Sequence, residues 1–205
     1  MTKIYIARHG QNEDNLNHIL NGHRDLPLTP LGFEQARTLA EEIKDAGLTL
    51  YAIYSSPLIR AYATAETITN VLREPKPIVL PNLIERNLGS MSGRPISDIK
   101  NLPKENVLQA DVVTYFLEAD GAESWPDTLA RAHSVIEEVK TKHPTGSVLL
   151  VCHGDIGKML YAAYYHLDWK ETLVLFHFGN SELILLSPDS KAEDTHVFKY
   201  IQHNH

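Results

Sequence analysis

The sequence holds a single cysteine, Cys152, so no internal disulfide can form. It has no apolar run near the roughly 18 residues that cross a bilayer. Its amino-terminal stretch lacks a charged, then apolar, signal region with a cleavage site, and together these absences point to the cytoplasm. Basic residues are also scarce, with 19 Lys and Arg against 26 Asp and Glu and a formal charge of -7. Such a surface has no broad basic footprint for phosphate backbones or anionic lipids, so neither nucleic acid nor membrane is expected as a partner. Phosphate chemistry, if present, must sit in a local basic pocket. The chain has no G-x-x-x-x-G-K-[ST], G-x-G-x-x-G or G-x-S-x-G motif, which leaves nucleotide-loop and serine-hydrolase readings without support. The histidines show no H-E-x-x-H or clustered ligand spacing, so no metal or cofactor is expected.

What is present is an alternation of apolar runs and amphipathic stretches across 205 residues, enough for one α/β domain covering 1–205. KIYIA, LYAIYSS, PIVL and SVLLVC read as strands, the last as a fully buried parallel one. Between them, TPLGFEQARTLAEEIKDAG, PLIRAYATAETITNVL, PDTLARAHSVIEEVKTKH and IGKMLYAAYYHL have helical spacing. Thr29 and Pro30 suit the start of the first helix, and Ser56 with Pro57 the start of the second. TLVLFHF, SELILLS and HVFKYIQ read as further strands, the first two joined by a turn at Gly179 and Asn180. The region from Ile96 to Leu117 reads as helical and irregular, inside an insertion or lid at about 94–122. This order predicts a three-layer α/β/α sandwich with a mostly parallel central sheet. A strand edge near the C-terminus would offer a second copy a pairing surface, so a homodimer is a possible assembly.

In such folds ligands bind beyond the carboxyl ends of the strands. Three strand ends here carry unusual polar groups: IARHG, IYSSPLIR and LLVCHG. Arg8 and His9 follow the first strand, Arg60 opens the helix after the second, and His153 with Gly154 follows the buried strand near residue 150. Two guanidiniums, two imidazoles and a helix N-terminus at one edge make an anion site suited to a phosphoryl group.

The ordered motifs resemble those of the histidine phosphatase superfamily, the phosphoglycerate-mutase-like fold. The resemblance rests on Arg8-His9-Gly10, Asn15, Gly22, the L-T-P-L-G run from Leu28, the S-S-P-L-x-R-A run from Ser55, Glu85 with Gly89, the GAES stretch, and His153-Gly154. It implies that His9 is the nucleophile, that Arg8, Arg60 and His153 surround the phosphoryl oxygens, and that Glu85 serves as acid and then base. It further implies that Asn15 donates an amide hydrogen to the phosphate and that no metal takes part. Asn21 and Gly22 line the same loop, and His23 with Arg24 is placed there to contact substrate. A small phosphorylated metabolite is the expected partner.

Two rival chemistries compare poorly. VCHGDIGK echoes a cysteine-x5-arginine loop, but Lys158 ends it and cannot give a guanidinium's bidentate contact. A mutase of the family would need extra basic groups in the lid, whereas no arginine occurs between Arg94 and Arg131. Phosphoglycerate mutases also usually place tyrosine at the position of Leu88 and serine or threonine at that of Asn21. Hydrolysis is therefore the reading, ahead of mutase-type transfer. A non-catalytic phospho-ligand module would be expected to have lost His9 or Glu85, and both are present.

Overall fold

The computed structural model describes residues 2–188. Its centre is a five-stranded sheet of β1 (Thr2–Arg8), β2 (Ala52–Ser55), β3 (Ile78–Val79), β6 (Gly146–Cys152) and β7 (Leu183–Leu186). The spatial order is β3-β2-β6-β1-β7, parallel throughout except for β7, which runs antiparallel to β1. Alternating side chains serve two cores, as a period of two requires. Ile4, Ile6, Val148 and Leu150 face α4 (Trp125–Lys142) and α5 (Gly154–Tyr165). Tyr5, Ala7, Leu149 and Val151 face α2 (Pro30–Asp45) and α3 (Ile59–Leu72) on the other side. The result is the α/β/α sandwich expected from the sequence.

Register is what positions the site. Arg8 of β1 stands opposite Cys152 of β6, and Ser55 of β2 opposite Val151, so three strands end level. The ladder continues one residue further, with His9 N–H donating to the Cys152 carbonyl at 3.0 Å and Ser56 N–H to the Val151 carbonyl at 3.0 Å. His9 and His153 therefore emerge side by side from adjacent strands.

Three elements depart from the sequence reading. The run expected as strand TLVLFHF instead contributes to a short helix, α6 (Trp169–Leu175), followed by extended chain at Phe176. Asp168 caps this helix by accepting from the N–H groups of Lys170 and Glu171, a local bond that outweighs the strand preference of Val174 and its neighbours. The lid is not mainly helical: 3-10 turns at Ile96–Asn101 and Lys104–Asn106 lead into an antiparallel hairpin of β4 (Val107–Gln109) and β5 (Thr114–Phe116). Its aromatic and β-branched residues fit a pleat that buries Phe116 against Leu88, Met91 and Ile99. Finally, α3 begins at Ile59, and its first free N–H is capped by Asp25 Oδ1 at 2.7 Å rather than by Ser56. The expected strand HVFKYIQ lies outside the described residues.

After β1 the chain passes through a four-residue helix, α1 (Glu13–Leu16), closed by reciprocal bonds between Asn12 and Asn15. Here the start of α2 presses directly on the segment following His9. A Cβ built on Gly10 would lie 2.3 Å from the Gly32 carbonyl oxygen, and one on Gly32 would lie 2.0 Å from that of Gln11. Both glycines are needed for this close backbone approach. Gly32→Ala, which in an ordinary helix would stabilise, is expected instead to cost about 1–3 kcal/mol through backbone displacement. Urea unfolding of the variant checks this, and an unchanged or higher midpoint would contradict it.

Candidate active site

His9 is 2% exposed and held at both ring nitrogens. Its Nδ1–H donates to the Gly10 carbonyl at 2.7 Å, and its Nε2 accepts from Arg60 Nε at 3.2 Å. The first bond selects the tautomer, so Nε2 keeps its lone pair. Burial, followed by the charges of Arg60 and Arg8, holds the His9 pKa well below the ordinary histidine value. The ring is thus neutral at physiological pH, with a lone pair on Nε2 available for attack.

Arg60 is fully buried, and carbonyls steer it: Nη1 donates to Arg24 O at 2.6 Å and Nη2 to Gly22 O at 2.9 Å. Burial lowers its pKa to about 10, opposed by the carboxylates of Glu85 and Asp25, so the guanidinium remains charged. Gly22, at φ 52, forms the turn that brings its carbonyl there. Arg8 is anchored through Nη1 to Phe178 O at 2.7 Å, while its buried Nε has no hydrogen-bond partner. His153 lies 5.1 Å from His9 between ring centroids. Its Nε2 meets Ser56 Oγ at 2.7 Å and its buried Nδ1 has no partner. Burial and the guanidiniums of Arg60 and Arg8 depress the His153 pKa well below normal, so this ring too is neutral. In the tautomer in which the Ser56 hydroxyl donates to Nε2, the ring proton sits on Nδ1 and is free to be donated.

Glu85 receives three backbone N–H groups: Arg86 at 2.8 Å and Ile156 at 3.1 Å on Oε1, and Asp155 at 3.3 Å on Oε2. Despite these, burial first and then the Asp155 charge raise its pKa above the ordinary glutamate value. A carboxyl so placed can hold a proton to donate. The first turn of α5 thus supplies both His153 and two amides that fix the acid.

Asn15 faces the same cavity with its orientation settled, because Oδ1 accepts from Asn180 Nδ2 and from Asn12 N–H, each at 3.3 Å. Its amide nitrogen is the available donor. Asn21 Oδ1 accepts from Asn12 Nδ2 at 2.6 Å. The cavity, about 370 Å³, is lined on the catalytic side by Arg8, Asn15, Asn21, Gly22, Glu85 and Gly154. On the lid side it meets Ile96, Ile99, Val112, Val113 and Tyr115. His9, Arg60 and His153, all buried, are not among the lining residues, and neither are His23 and Arg24. His23 Nε2–H donates to the Glu85 carbonyl at 2.8 Å, and Arg24 pairs with Asp14 through Nε at 2.8 Å and Nη2 at 3.2 Å. His23 thus bears on the segment of Glu85, and Arg24 holds Arg60 through its carbonyl. Asn180 and Arg86 were not foreseen as site residues, and Ser56, inside the S-S-P-L-x-R-A run, was read only as part of a helix start.

Among the described residues no group of three or more His, Cys, Asp or Glu side chains is arranged to hold a metal ion. Cys152 is buried, and burial pushes its thiol pKa up, which disfavours the thiolate a cysteine mechanism needs. Because His9 must be neutral to attack and its pKa is lowered, the acid limb of kcat/KM is expected well below pH 6.5. Steady-state rates across pH 4–9 with a substrate whose own ionisation is known check this. A limb at or above the free-imidazole value would contradict the burial argument.

The family model of the histidine phosphatase superfamily (branch 1) matches residues 4–199. A putative phosphoserine phosphatase 2 of Hydrogenobacter thermophilus is 36% identical over 156 residues, covering 75% of this chain and 74% of its own. A 2,3-bisphosphoglycerate-dependent phosphoglycerate mutase of Mesorhizobium japonicum is 29% identical over 204 residues, covering 96% and 98%. Among solved structures, a mycobacterial glucosyl-3-phosphoglycerate phosphatase superposes with a TM-score of 0.74 at 26% identity, covering 89% and 88% of the two chains. With its motifs in order and its strand ends level, the chain belongs to the histidine phosphatase superfamily.

Proposed function

We propose that the protein hydrolyses a small phosphomonoester through a phosphohistidine on His9. One observation carries this reading: two buried nitrogens without partners, Arg8 Nε and His153 Nδ1, flank a histidine whose Nε2 is unprotonated and aligned by Arg60. Those groups form a ready acceptor site for a phosphoryl group. His9 Nε2 attacks phosphorus while the bond to the ester oxygen breaks, and Glu85 gives its proton to the departing alkoxide. Arg8, Arg60, His153 and the Asn15 amide balance the charge spread over the equatorial oxygens. Glu85, now a carboxylate, takes a proton from water as the water oxygen attacks phospho-His9, which restores the starting state.

Hydrolysis is favoured over mutase transfer by what the cavity holds beyond the phosphoryl site. A mutase has to grip a second anionic group while the intermediate waits. The remaining cationic linings are Arg86 and Lys158. Arg86 is ion-paired to Asp155 at 2.8 Å. Lys158 donates to the carbonyls of Leu173 and Phe176, and burial lowers its pKa to about 8. The lid contributes apolar side chains, which suits an alcohol portion that is at least partly apolar. Relatives named as phosphatases agree with this choice. No described helix is long and apolar enough to cross a membrane, and with one buried cysteine we place the enzyme in the cytoplasm.

His9→Ala is expected to abolish turnover, while Cys152→Ser retains most of it. Rapid quenching should trap phosphate in an acid-labile, base-stable bond. An active His9→Ala enzyme with a dead Cys152→Ser enzyme would refute the mechanism. Phosphate release across a panel of phosphorylated metabolites would identify the substrate.

The acid role makes a separate demand. In single turnovers, Glu85→Gln should slow phosphoryl transfer from an alkyl phosphate far more than from p-nitrophenyl phosphate, whose leaving group needs no proton. The variant should also accumulate phospho-His9 from the aryl ester. Equal defects for both esters would assign Glu85 a structural role.

A further inference from the structure

Glu85 presents a physical problem that its own contacts do not solve. Three backbone N–H groups and the N-terminus of α5 all favour its charged form. The Arg60 cation of α3 does the same. An acid needs the opposite bias. Beside burial, the group that supplies it is Asp155, whose position is unusually well secured.

Asp155 Oδ2 accepts from Arg86 Nε at 2.8 Å, and the Asp155 backbone N–H donates to Glu85 Oε2. Arg86, 1% exposed, has its guanidinium carbon 4.3 Å from the Phe116 ring centroid and 4.0 Å from that of Trp125. Phe116 belongs to the lid hairpin and Trp125 opens α4, and the Trp125 indole N–H donates to the Phe116 carbonyl at 3.2 Å. Arg86 Nη1 also donates to the Glu123 carbonyl, and the Arg86 backbone N–H reaches Glu85 Oε1. One guanidinium thus joins the lid, α4, α5 and the segment bearing the acid.

We propose that the Arg86–Asp155 ion pair is a positioning device for the general acid, holding a negative charge against Glu85 and tying that charge to the docked lid through Phe116. The inference rests on the hydrolase reading for its catalytic consequence, but the charge coupling exists in the resting protein. Held between two aromatic faces, Arg86 is fixed where it restrains Asp155. Asp155 in turn offsets the Arg60 charge that would strip the proton from Glu85. Phe116 of the lid covers the pair from water, and where screening is low the influence of Asp155 on Glu85 is strong.

Other charged and titratable groups also face this carboxyl. His23 donates to its backbone carbonyl, as does Arg131 of α4 at 3.5 Å, and Arg131 is ion-paired with Glu123 at 2.7 Å. His153 and Lys158 stand on α5, and Tyr115 stands on the lid. Of these, His153 is neutral, and burial raises the Tyr115 pKa so that it is neutral too. Arg131 is balanced by Glu123. Asp155 is paired too, with Arg86, but of the two carboxylates it alone bonds the Glu85 carboxyl through its own N–H, and its charge raises the Glu85 pKa.

The test reads Glu85 directly in the resting enzyme, by carboxyl carbon NMR of protein labelled at glutamate, with the signal assigned by its loss in Glu85→Gln. In Asp155→Asn the titration midpoint should fall by about one pH unit, a tenfold change in protonated fraction above the midpoint. Asp155→Glu should preserve most of the wild-type value. Arg86→Met, which leaves Asp155 uncompensated, should move the midpoint the other way. The alkaline limb of the single-turnover rate should follow these shifts for an alkyl phosphate and move far less with p-nitrophenyl phosphate, whose leaving group needs no proton. Midpoints unmoved in both charge variants, or moved in the same direction, would overturn the proposal. If Asp155→Asn does not fold, the Arg86→Met titration decides it alone. Wild-type protein that hydrolyses neither ester would sink the functional reading, while the NMR titration would still decide this one.

Discussion

Everything at the site depends on the parallel pairing of β1 and β2 with β6. A parallel ladder can bring chain ends level only if its register is right, and a slip of one residue turns every side chain to the opposite face. Here a slip would exchange Ile4 and Ile6 with Tyr5 and Ala7 between the two cores, so burial on both faces enforces the register. The same register sets His9 beside His153 and Ser56 beneath it. Catalytic geometry is thus a by-product of core packing, which explains how so many charged groups are held rigidly at one edge.

Burying those groups has an electrostatic cost, which the site divides between two solutions. The imidazoles give up their charge: His9 and His153 are neutral because the interior and the neighbouring guanidiniums disfavour a third and fourth cation. Arg60 keeps its charge, supported by the Gly22 and Arg24 carbonyls. Neutral histidines and charged arginines are the combination that attack on a phosphate dianion requires, one supplying the lone pair and the others the field. Glu85 is the third case, a buried acid pulled towards ionisation by amides and the Arg60 cation and away from it by burial and Asp155.

The lid adds an apolar layer that the sandwich alone does not have. Phe116 packs against Leu88, Met91 and Ile99 on one side and under the Arg86 guanidinium on the other. Phe116 therefore both lines the cavity and covers the Arg86–Asp155 pair.

Much of this was legible in the sequence. Period-two and helical spacing located the strands of the sheet and the four long helices, and Thr29 before Pro30 marked the start of α2 because capping is a local bond. Arg8, His9, Arg60 and His153 were readable because each sits at a strand end or in the first turn after one, where short-range rules apply. The helix α6 was misread since its apolar run carried no period, and the lid hairpin was hidden by short segments that pair only with each other. Ser56 was read as a helix cap, yet its hydroxyl goes to His153 while Asp25 caps α3 from another loop. Arg8 is aimed by Phe178, 170 positions away, and Glu85 is set by Asp155, 70 positions away. The sequence by itself determined which groups exist and which elements carry them. Only the tertiary structure decided their tautomers, charges and partners, because those depend on burial and on contacts between segments that spacing along the chain does not encode.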